Sequence, residues 1–362
     1  MKAATIRDVA LRAEVSVASV SRVLNGAGPV TDATRQRVLS AVESLQYVPH
    51  SGARSLSTSR TDTVGIILPD LFGEFFSELI RGMDLAARQH GLHLIVSSSH
   101  DDADDASAAI RSMRGRVDGM IVLSPHLDAA NLAASLAGSL PVLLMNGGAT
   151  DADRPSIVVD NHGGAVAAVE HLIAGGARDI AHICGPTGNL EAEARMAGYV
   201  QAMAAAGLTA RVLKGDFSQG SGHAAVRAML DQDRRPQAIF AGNDMMAVGA
   251  LLALQEAGVR CPEDVAVVGF DDVPIAQLVR PALSTMRINI AETGRRALDR
   301  LVGLIRANGD AATSADVACE IVRPVLVARD SSRATPSINH HAADGAQATA
   351  EAKHSSGGHQ DV

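Results

Sequence analysis

The sequence predicts two kinds of structure in tandem: a small all-α head-piece containing a helix-turn-helix, and behind it a larger α/β body of two Rossmann-like lobes. Three observations predict this. Apolar residues recur at helical spacing over 5–25, with one break and restart. From residue 61 onward, short apolar runs alternate with helix-length segments. The net charge of −8 is also divided unevenly: residues 1–60 carry eight Lys/Arg against four acids, which leaves the head at +4 and the remainder at −12.

In the head, Ile6, Val9, Ala10 and Ala13 form one apolar stripe of a helix. Val15-Ser16 interrupts it, and Ser16 is suited to cap a second helix that turns Val20, Val23 and Leu24 inward. Val17, Ala18, Ser21 and Arg22 then face outward. A helix-turn-helix lays such a face in a DNA major groove, although a plain surface hairpin has the same periodicity. After the loop Gly26-Ala27-Gly28-Pro29, Thr31 caps a third helix over 34–45 with Val38, Leu39, Val42 and Leu45 inward, and Tyr47 and Val48 close the core before Pro49. The basic head on an acidic body agrees with a nucleic-acid partner. Arg22 can reach guanine in two hydrogen bonds, and Val17 and Ala18 can meet thymine methyls. Thr5, Ser16, Ser19, Ser21, Asn25, Thr31 and Thr34 can hold phosphates or, taken singly, cap helices; Ile6, Arg7 and Tyr47 complete the candidates of the head.

Residues 50–60 are polar and Ser-rich, with Gly52 lowering helix propensity by about 1 kcal/mol. They read as an interdomain linker in which Leu56 is the one bulky apolar side chain. In the body, strands are predicted at 64–68, 93–97, 119–123, 142–145, 157–159, 180–184, 238–240 and 265–269, and helices at 74–90, 103–114, 162–174, 191–206 and 244–257. Continuous apolar strands between helices mean parallel sheets covered on both faces, whose ligands sit beyond the strand carboxyl ends. Asp70, Asn146, Asp160, Asn161, Arg195, Asn243 and Asp271 fall at those ends or at the start of the next helix. Helix capping is the alternative for Asp70, Asp160 and Asn243. Of only eight aromatic residues, Phe72, Phe75, Phe76, Phe217 and Phe270 lie in or beside the same loops. The C–H face of a sugar packs on aromatic rings, so this bias favours a carbohydrate; core packing is the alternative for Phe75 and Phe270.

Several classes are disfavoured. No apolar run approaches the ~18 residues of a membrane span. Met1-Lys2 leads into a charged amphipathic helix, unlike a signal peptide, so a cytoplasmic protein is expected. Cys184, Cys261 and Cys319 lie far apart, which argues against a disulfide framework or a zinc site. There is no G-x-S-x-G, P-loop or H-E-x-x-H, and neither an enzyme nor a cofactor is expected. The stretch 334–362 has no leucine or aromatic residue and four of the thirteen histidines, a composition that predicts disorder.

T-I-x-D-V-A-x-x-A-x-V-S-x-x-S-V-S-R-V-L-N (5–25) closely resembles the head-piece of the LacI/GalR family of bacterial transcription regulators. Further strings resemble that family's periplasmic-binding-protein-like regulatory domain, among them V-G-I-I-L-P-D (64–70), V-D-G-M-I-V-L-S-P (117–125), R-M-A-G-Y (195–199), I-F-A-G-N-D-M-M-A-V-G-A (239–250) and C-P-E-D-V-A-V-V-G-F-D-D (261–272). The resemblance runs from residue 4 to about 329 and implies a head at 1–49, a hinge at 50–60, a two-lobed effector-binding and dimerisation domain at 61–330, and a tail at 331–362. It also implies a repressor of carbohydrate-utilisation genes that binds a palindromic operator as a homodimer and answers to a small sugar-like effector between the lobes. A purine or other metabolite on the same scaffold is the alternative effector. A receptor of the periplasmic type would need an export signal and no helix-turn-helix. Ala53, Arg54 and Leu56 match the family's hinge helix, in which a paired leucine wedges into the minor groove. Arg195, Asn243 and Asp271 match its ligand-hydroxyl contacts, and with Asp70, Phe72, Phe76, Asn146, Asp160 and Phe217 they make the effector set. The tail lacks the leucine heptads that join two dimers in some members, so a dimer is expected. Three departures stand out. Glu14 occupies a turn position that is often Gly and can demand positive φ; Asn146 stands where many members have Asp; and Ile288 and Ile290 replace polar or aromatic contacts.

Overall fold

The computed structural model describes residues 4–26, 28–48, 60–100, 102–123, 140–146, 154–232, 235–307 and 319–332. The head contains α1 (Ile6–Ala13), α2 (Val17–Asn25) and α3 (Asp32–Ser44). Each starts on a hydroxyl: Thr5 forms a capping box with Asp8, Ser16 accepts from the amide of Ser19, and Thr31 from that of Thr34. Side-chain caps of this kind contribute about 1 kcal/mol each. The turn after α1 does require left-handed backbone, and Glu14 adopts it at φ 53°, where an L side chain costs about 1 kcal/mol.

Val9, Ala10, Ala13, Val20, Val23, Val38 and Ala41 are the buried core of the head, with Ile6, Leu24, Val42, Leu45 and Tyr47 packed around it. Two expectations are corrected. Leu39 is 45% exposed, because the inward stripe of α3 runs 38, 41, 42, 45 and residue 39 lies about 100° away from Val38 around the axis. Val48 is 82% exposed, so Tyr47 alone closes the core.

The body forms two six-stranded sheets. In the first lobe β1 (Thr63–Leu68), β2 (His93–Ser98), β3 (Gly119–Leu123), β4 (Val142–Met145) and β5 (Ser156–Val159) are joined by β11 (Cys319–Val322), all parallel, in the order β11-β5-β4-β3-β1-β2. Its helices are α4 (Glu74–His90), α5 (Ala103–Met113) and α10 (Ile290–Ala307). The second lobe holds β6 (Ile180–Ile183), β7 (Arg211–Leu213), β8 (Ala238–Ala241), β9 (Ala266–Asp271), β10 (Ser284–Arg287) and β12 (Val325–Val327), in the order β12-β10-β9-β8-β6-β7 with β12 antiparallel. With them are α6 (Asn161–Ala174), α7 (Leu190–Ala205), α8 (Gln219–Leu230), α9 (Asp244–Glu256) and a 3-10 turn at Pro274–Gln277.

The chain passes between lobes three times: from β5 into α6, from β10 into α10, and from β11 into β12. Every passage leaves the carboxyl end of a parallel strand. These three crossovers and the strand-end loops of both lobes therefore share one zone, the cleft. α10 is fixed against α4 by two glycines: a Cβ at Gly82 would strike the Ala291 backbone, and one at Gly294 the Leu79 carbonyl. The first turn of α10, just past the crossover from β10, is thus tied rigidly to the first lobe.

The strands predicted in the body are present to within one or two residues at each end, and β9 runs on to Asp271 itself. The helices α8 and α10 and the strands β7, β10, β11 and β12 lie where no element was predicted. The strands are only three or four residues long, and β7, β11 and β12 have mostly unburied side chains, which removes the continuous apolar signal of a central strand. α10 did carry a legible signal, with Ile290, Ala297, Leu298, Leu301 and Val302 buried at helical spacing.

Candidate nucleic-acid interface and ligand cleft

On the head, Val17 (42% exposed), Ala18 and Arg22 share the outer face of α2, with Ser21 partly buried beside them. The Arg22 stem runs past Gly28, whose Cβ would lie 3.8 Å from Arg22 Cδ. The hydroxyl and amide candidates bond among themselves: Ser16 Oγ lies 2.9 Å from Ser19 Oγ, Asn25 Nδ2 donates to Ser21 Oγ at 3.2 Å, and Thr31 Oγ1 to Thr34 Oγ1 at 3.0 Å. Thr5 Oγ1 donates to Asp8 Oδ2 at 2.7 Å. Thr5, Ser16 and Thr31 each sit at a helix N-terminus, where free N–H groups favour an anion such as phosphate, so capping and phosphate binding use the same positions. Arg7 is exposed, Ile6 is half-buried, and the Tyr47 ring packs on the head core. Ala53, Arg54 and Leu56 lie outside the described residues.

The cleft is built chiefly by the second lobe. Arg195, 4% exposed on α7, donates from Nε to Asn161 Oδ1 at 2.8 Å and from Nη1 to the Gly242 carbonyl, and its Nη2 lies 3.4 Å from Asp271 Oδ1. Its guanidinium stacks 3.9 Å above the Phe270 ring and stands 5.8 Å from that of Phe217, a cation–π arrangement. One side chain thus draws together α6, α7, β9 and the loops after β7 and β8. Asn243 caps α9 through the Met246 amide at 2.9 Å and donates from Nδ2 to the Phe217 carbonyl at 3.0 Å. Both readings of Asn243 therefore hold at once, since its amide fixes the loop that carries Phe217. Asn146, Phe217 and Asp271 have positive φ, at 51°, 70° and 111°. Asn146 and Asp271 stand at strand ends and Phe217 in the loop after β7, and such backbone costs about 1–3 kcal/mol each.

Asp271 is buried, and its Oδ1 has no hydrogen-bond partner among the described residues. Burial pushes its carboxyl up to about 7, Arg195 pulls it down, and Glu191 pushes it up. Beneath it Asp244 is fully buried; it accepts from Thr285 Oγ1 at 2.5 Å and from the Val273 amide at 2.9 Å. Its carboxyl is raised well above the usual range by burial and by Asp271. The next residue, Asp272 (φ 60°), turns the other way to pair with Arg287 and Arg329, each at 2.6 Å.

The first lobe contributes less firmly. Asp70 accepts from its own loop, from the amides of Leu71 and Phe72 at 2.6 and 3.1 Å. Phe72 is 79% exposed, while Phe76 meets Phe75 edge to face and packs on the core. Asn146 is buried and accepts from the Val159 amide at 3.0 Å, and Asp160 caps α6 through Gly163. Ile288 and Ile290 are core residues. Asn161, Gly242 and Asp244 complete the cleft. Asn161 was marked by its place after β5; Asp244 carried no signal beyond its neighbour Asn243. A separate cavity of about 520 Å³ beside the 287–290 passage, lined by Glu78, Asp272, Gln277 and Asn289 among others, contains none of the predicted effector residues.

Residues 5–50 match the family model of bacterial regulatory proteins, lacI family, and residues 169–332 that of a periplasmic binding protein-like domain. The HTH-type transcriptional repressor PurR of Proteus mirabilis (strain HI4320) is 34% identical over 346 residues, covering 93% of this chain and 99% of that protein. The chain belongs to the lacI family of bacterial regulatory proteins. Like its family, this LacI-type protein is a DNA-binding transcriptional repressor and not an enzyme. The HTH-type transcriptional repressor CytR of Escherichia coli (strain K12) is 33% identical, covering 92% of this repressor and 98% of its own length. Among solved structures, the lac repressor dimer bound to operator and the anti-inducer ONPF matches with a TM-score of 0.82 at 29% identity, over 92% of this chain and all of that one. The complex of the transcriptional regulator CelR with cellobiose matches with a TM-score of 0.67 at 31% identity, over 91% and 99%.

Proposed function

We propose that this repressor controls carbohydrate-utilisation genes in the cytoplasm, binding a palindromic operator as a homodimer and answering to a mono- or disaccharide held between its lobes. The observation that carries the sugar reading is the Arg195–Asp271 pair seated on Phe270, with Asn161 and Asn243 beside it. Charged and amide groups around a buried aromatic face give directional bonds to hydroxyls, and a site built that way discriminates strongly against analogues lacking one. Two similar solved proteins point the same way: CelR is in complex with cellobiose, and the lac repressor with ONPG. Phe72, Phe76, Asp70, Asn146, Asp160 and Phe217 line the remainder of the site, and Val17, Ala18 and Arg22 read bases.

Residues 50–60 act as the hinge, with paired Leu56 kinking the central operator step. The three passages between the lobes give the coupling its means. An effector that prefers one lobe angle shifts the spacing of two hinges, and operator and effector must alter each other's affinity by the same factor. A thermal-shift screen of mono- and disaccharides against purines and nucleosides, with and without operator, tests the effector class. Stabilisation by a sugar that also changes operator retention is the expected result; stabilisation by a purine alone overturns it. Arg22→Ala should abolish specific operator retention while the melting temperature of the body stays put, and retained specificity would remove Arg22 from the groove.

A further inference from the structure

The carboxyl groups at the carboxyl end of β9 have a consequence beyond ligand contact. Asp271 and Asp244 are both buried, and Asp244 holds the backbone just past Asp271 through the Val273 amide and Thr285. A Cβ on Gly269 would strike Asp244 Oδ1, so only glycine there leaves the carboxylate its place under β9. Among the described residues the groups facing this pair are few. From α7 come Arg195 and Glu191, and from the strand end Asp272, whose charge is already met by Arg287 of β10 and by Arg329. His182 of β6, buried and stacked on Phe240, lies toward Arg195 and is held neutral, burial lowering its imidazole to about 4. Arg195 is therefore the cation that meets Asp271, and it also serves Asn161 and the Gly242 carbonyl. Asp271 Oδ1 meanwhile has no hydrogen-bond donor among the described residues.

We propose that the effector cleft is proton-linked: Asp244 stays protonated beneath the site, while Asp271 holds a second proton in the ligand-free repressor and releases it to solvent when a hydroxyl-donating effector binds. The proton leaves a carboxylic acid and goes to buffer. The effector hydroxyl keeps its own proton and donates a hydrogen bond to the Asp271 carboxylate left behind. Asp244 is raised well above the usual range and keeps its proton, while burial holds Asp271 at about 7 against the one guanidinium, so Asp271 is the carboxyl that changes charge. A donor supplied to Oδ1 favours the charged form and drives the release. Neutral polyols would then bind more tightly as pH rises through neutrality, and an anionic ligand would be disfavoured at the same pH. The effector half of this inference rests on the sugar reading of the cleft; the ligand-free half does not.

The two halves are tested separately. Folded-state carboxyl groups raised above their unfolded range favour folding fully at acid pH, and that contribution is lost as pH rises through about 7. Full-length protein without ligand should therefore lose melting temperature between pH 5 and 8, and Asp271→Asn should flatten that fall. Equal slopes in the two proteins would overturn the proposal. Should Asp271→Asn fail to fold, carbon-13 NMR of wild-type protein labelled at aspartate carboxyls decides the same point. At least one resonance should titrate near neutrality, and a full set with midpoints below 5 would refute the pair. Calorimetry in two buffers of different ionisation enthalpy, with the sugar found by the screen, should then register proton release, and zero release would sink the linkage. A screen without a sugar hit refutes the reading of the effector and leaves the ligand-free titration to decide the pair.

Discussion

The two lobes build their halves of the cleft in opposite ways. In the second lobe Arg195, Asn161, Gly242, Asp271, Phe270, Phe217 and Asn243 are joined by hydrogen bonds, the 3.4 Å Arg195–Asp271 contact and ring contacts before any ligand arrives. In the first lobe Asp70 bonds to its own loop and Phe72 stands 79% exposed. A preassembled half binds without an ordering cost, whereas a loose half gains contacts only when the lobes close on a ligand. Affinity should therefore reside in the second lobe and the closure response in the first. One bond, from the Ile275 amide in the 3-10 turn of the second lobe to Glu74 Oε2 at the start of α4 in the first, already joins the two halves at 2.9 Å.

The largest test removes the centre of the preassembled half. Arg195→Ala should abolish the effector response and lower affinity by about 100-fold or more, since each hydrogen bond to a charged group contributes about 1.5–3 kcal/mol. It should also destabilise the fold, because Asp271 loses its facing cation. Breaking a buried pair in this way costs about 3–5 kcal/mol when the remaining charge cannot neutralise. Here it can, by taking up a proton. The loss in melting temperature should accordingly be small at pH 5 and grow toward pH 8, above the Asp271 value of about 7. A pH-independent loss would mean that Asp271 is not the group left exposed to the change. Next in size, Asn243→Ala removes the α9 cap, at about 1 kcal/mol, and frees the Phe217 carbonyl. Calorimetry should give roughly tenfold weaker effector binding, with the melting temperature lowered at every pH alike. If affinity falls with no change in melting temperature, Asn243 contacts the ligand without bracing the loop.

How much of this was legible in the sequence follows the same divide. Strand-end position marks seven polar residues, because strand ends in a parallel sheet converge, and the family resemblance singles out Arg195, Asn243 and Asp271 among them. Glu14 was legible as well: a turn position that favours glycine predicted positive φ, and the backbone adopts it. What could not be read is the interior partnership. Asp244 sits at the first position of α9, where a helix-favouring acid is unremarkable, and only its bonds to Thr285 of β10 and to the Val273 amide past β9 make it a buried neighbour of that strand end. The exposure of Leu39 was missed because a leucine next to a stripe extends the apolar run without lying on the inward face. β11 and β12 escaped because each is short and borrows its stability from the lobe opposite its chain neighbour.

Phe72 provides the smallest expected effect and the sharpest test of the lobe comparison. Its ring is largely in solvent on the loop between β1 and α4, so Phe72→Ala should leave the melting temperature of the ligand-free protein within about 0.5 kcal/mol of wild type in stability terms. A ring that packs on a ligand only after closure adds about 1 kcal/mol, roughly fivefold in affinity. Scattering measurements should then find the ligand-free dimension unchanged and the ligand-induced compaction reduced. If Phe72→Ala instead costs as much as Arg195→Ala, the first lobe carries binding energy as well as closure, and the asymmetry between the halves is lost. If it costs nothing in affinity or compaction, Phe72 lies outside the cleft. The closing contact must then come from Phe76 or from the Glu74–Ile275 bond, and Glu74→Ala would reduce compaction where Phe72→Ala does not.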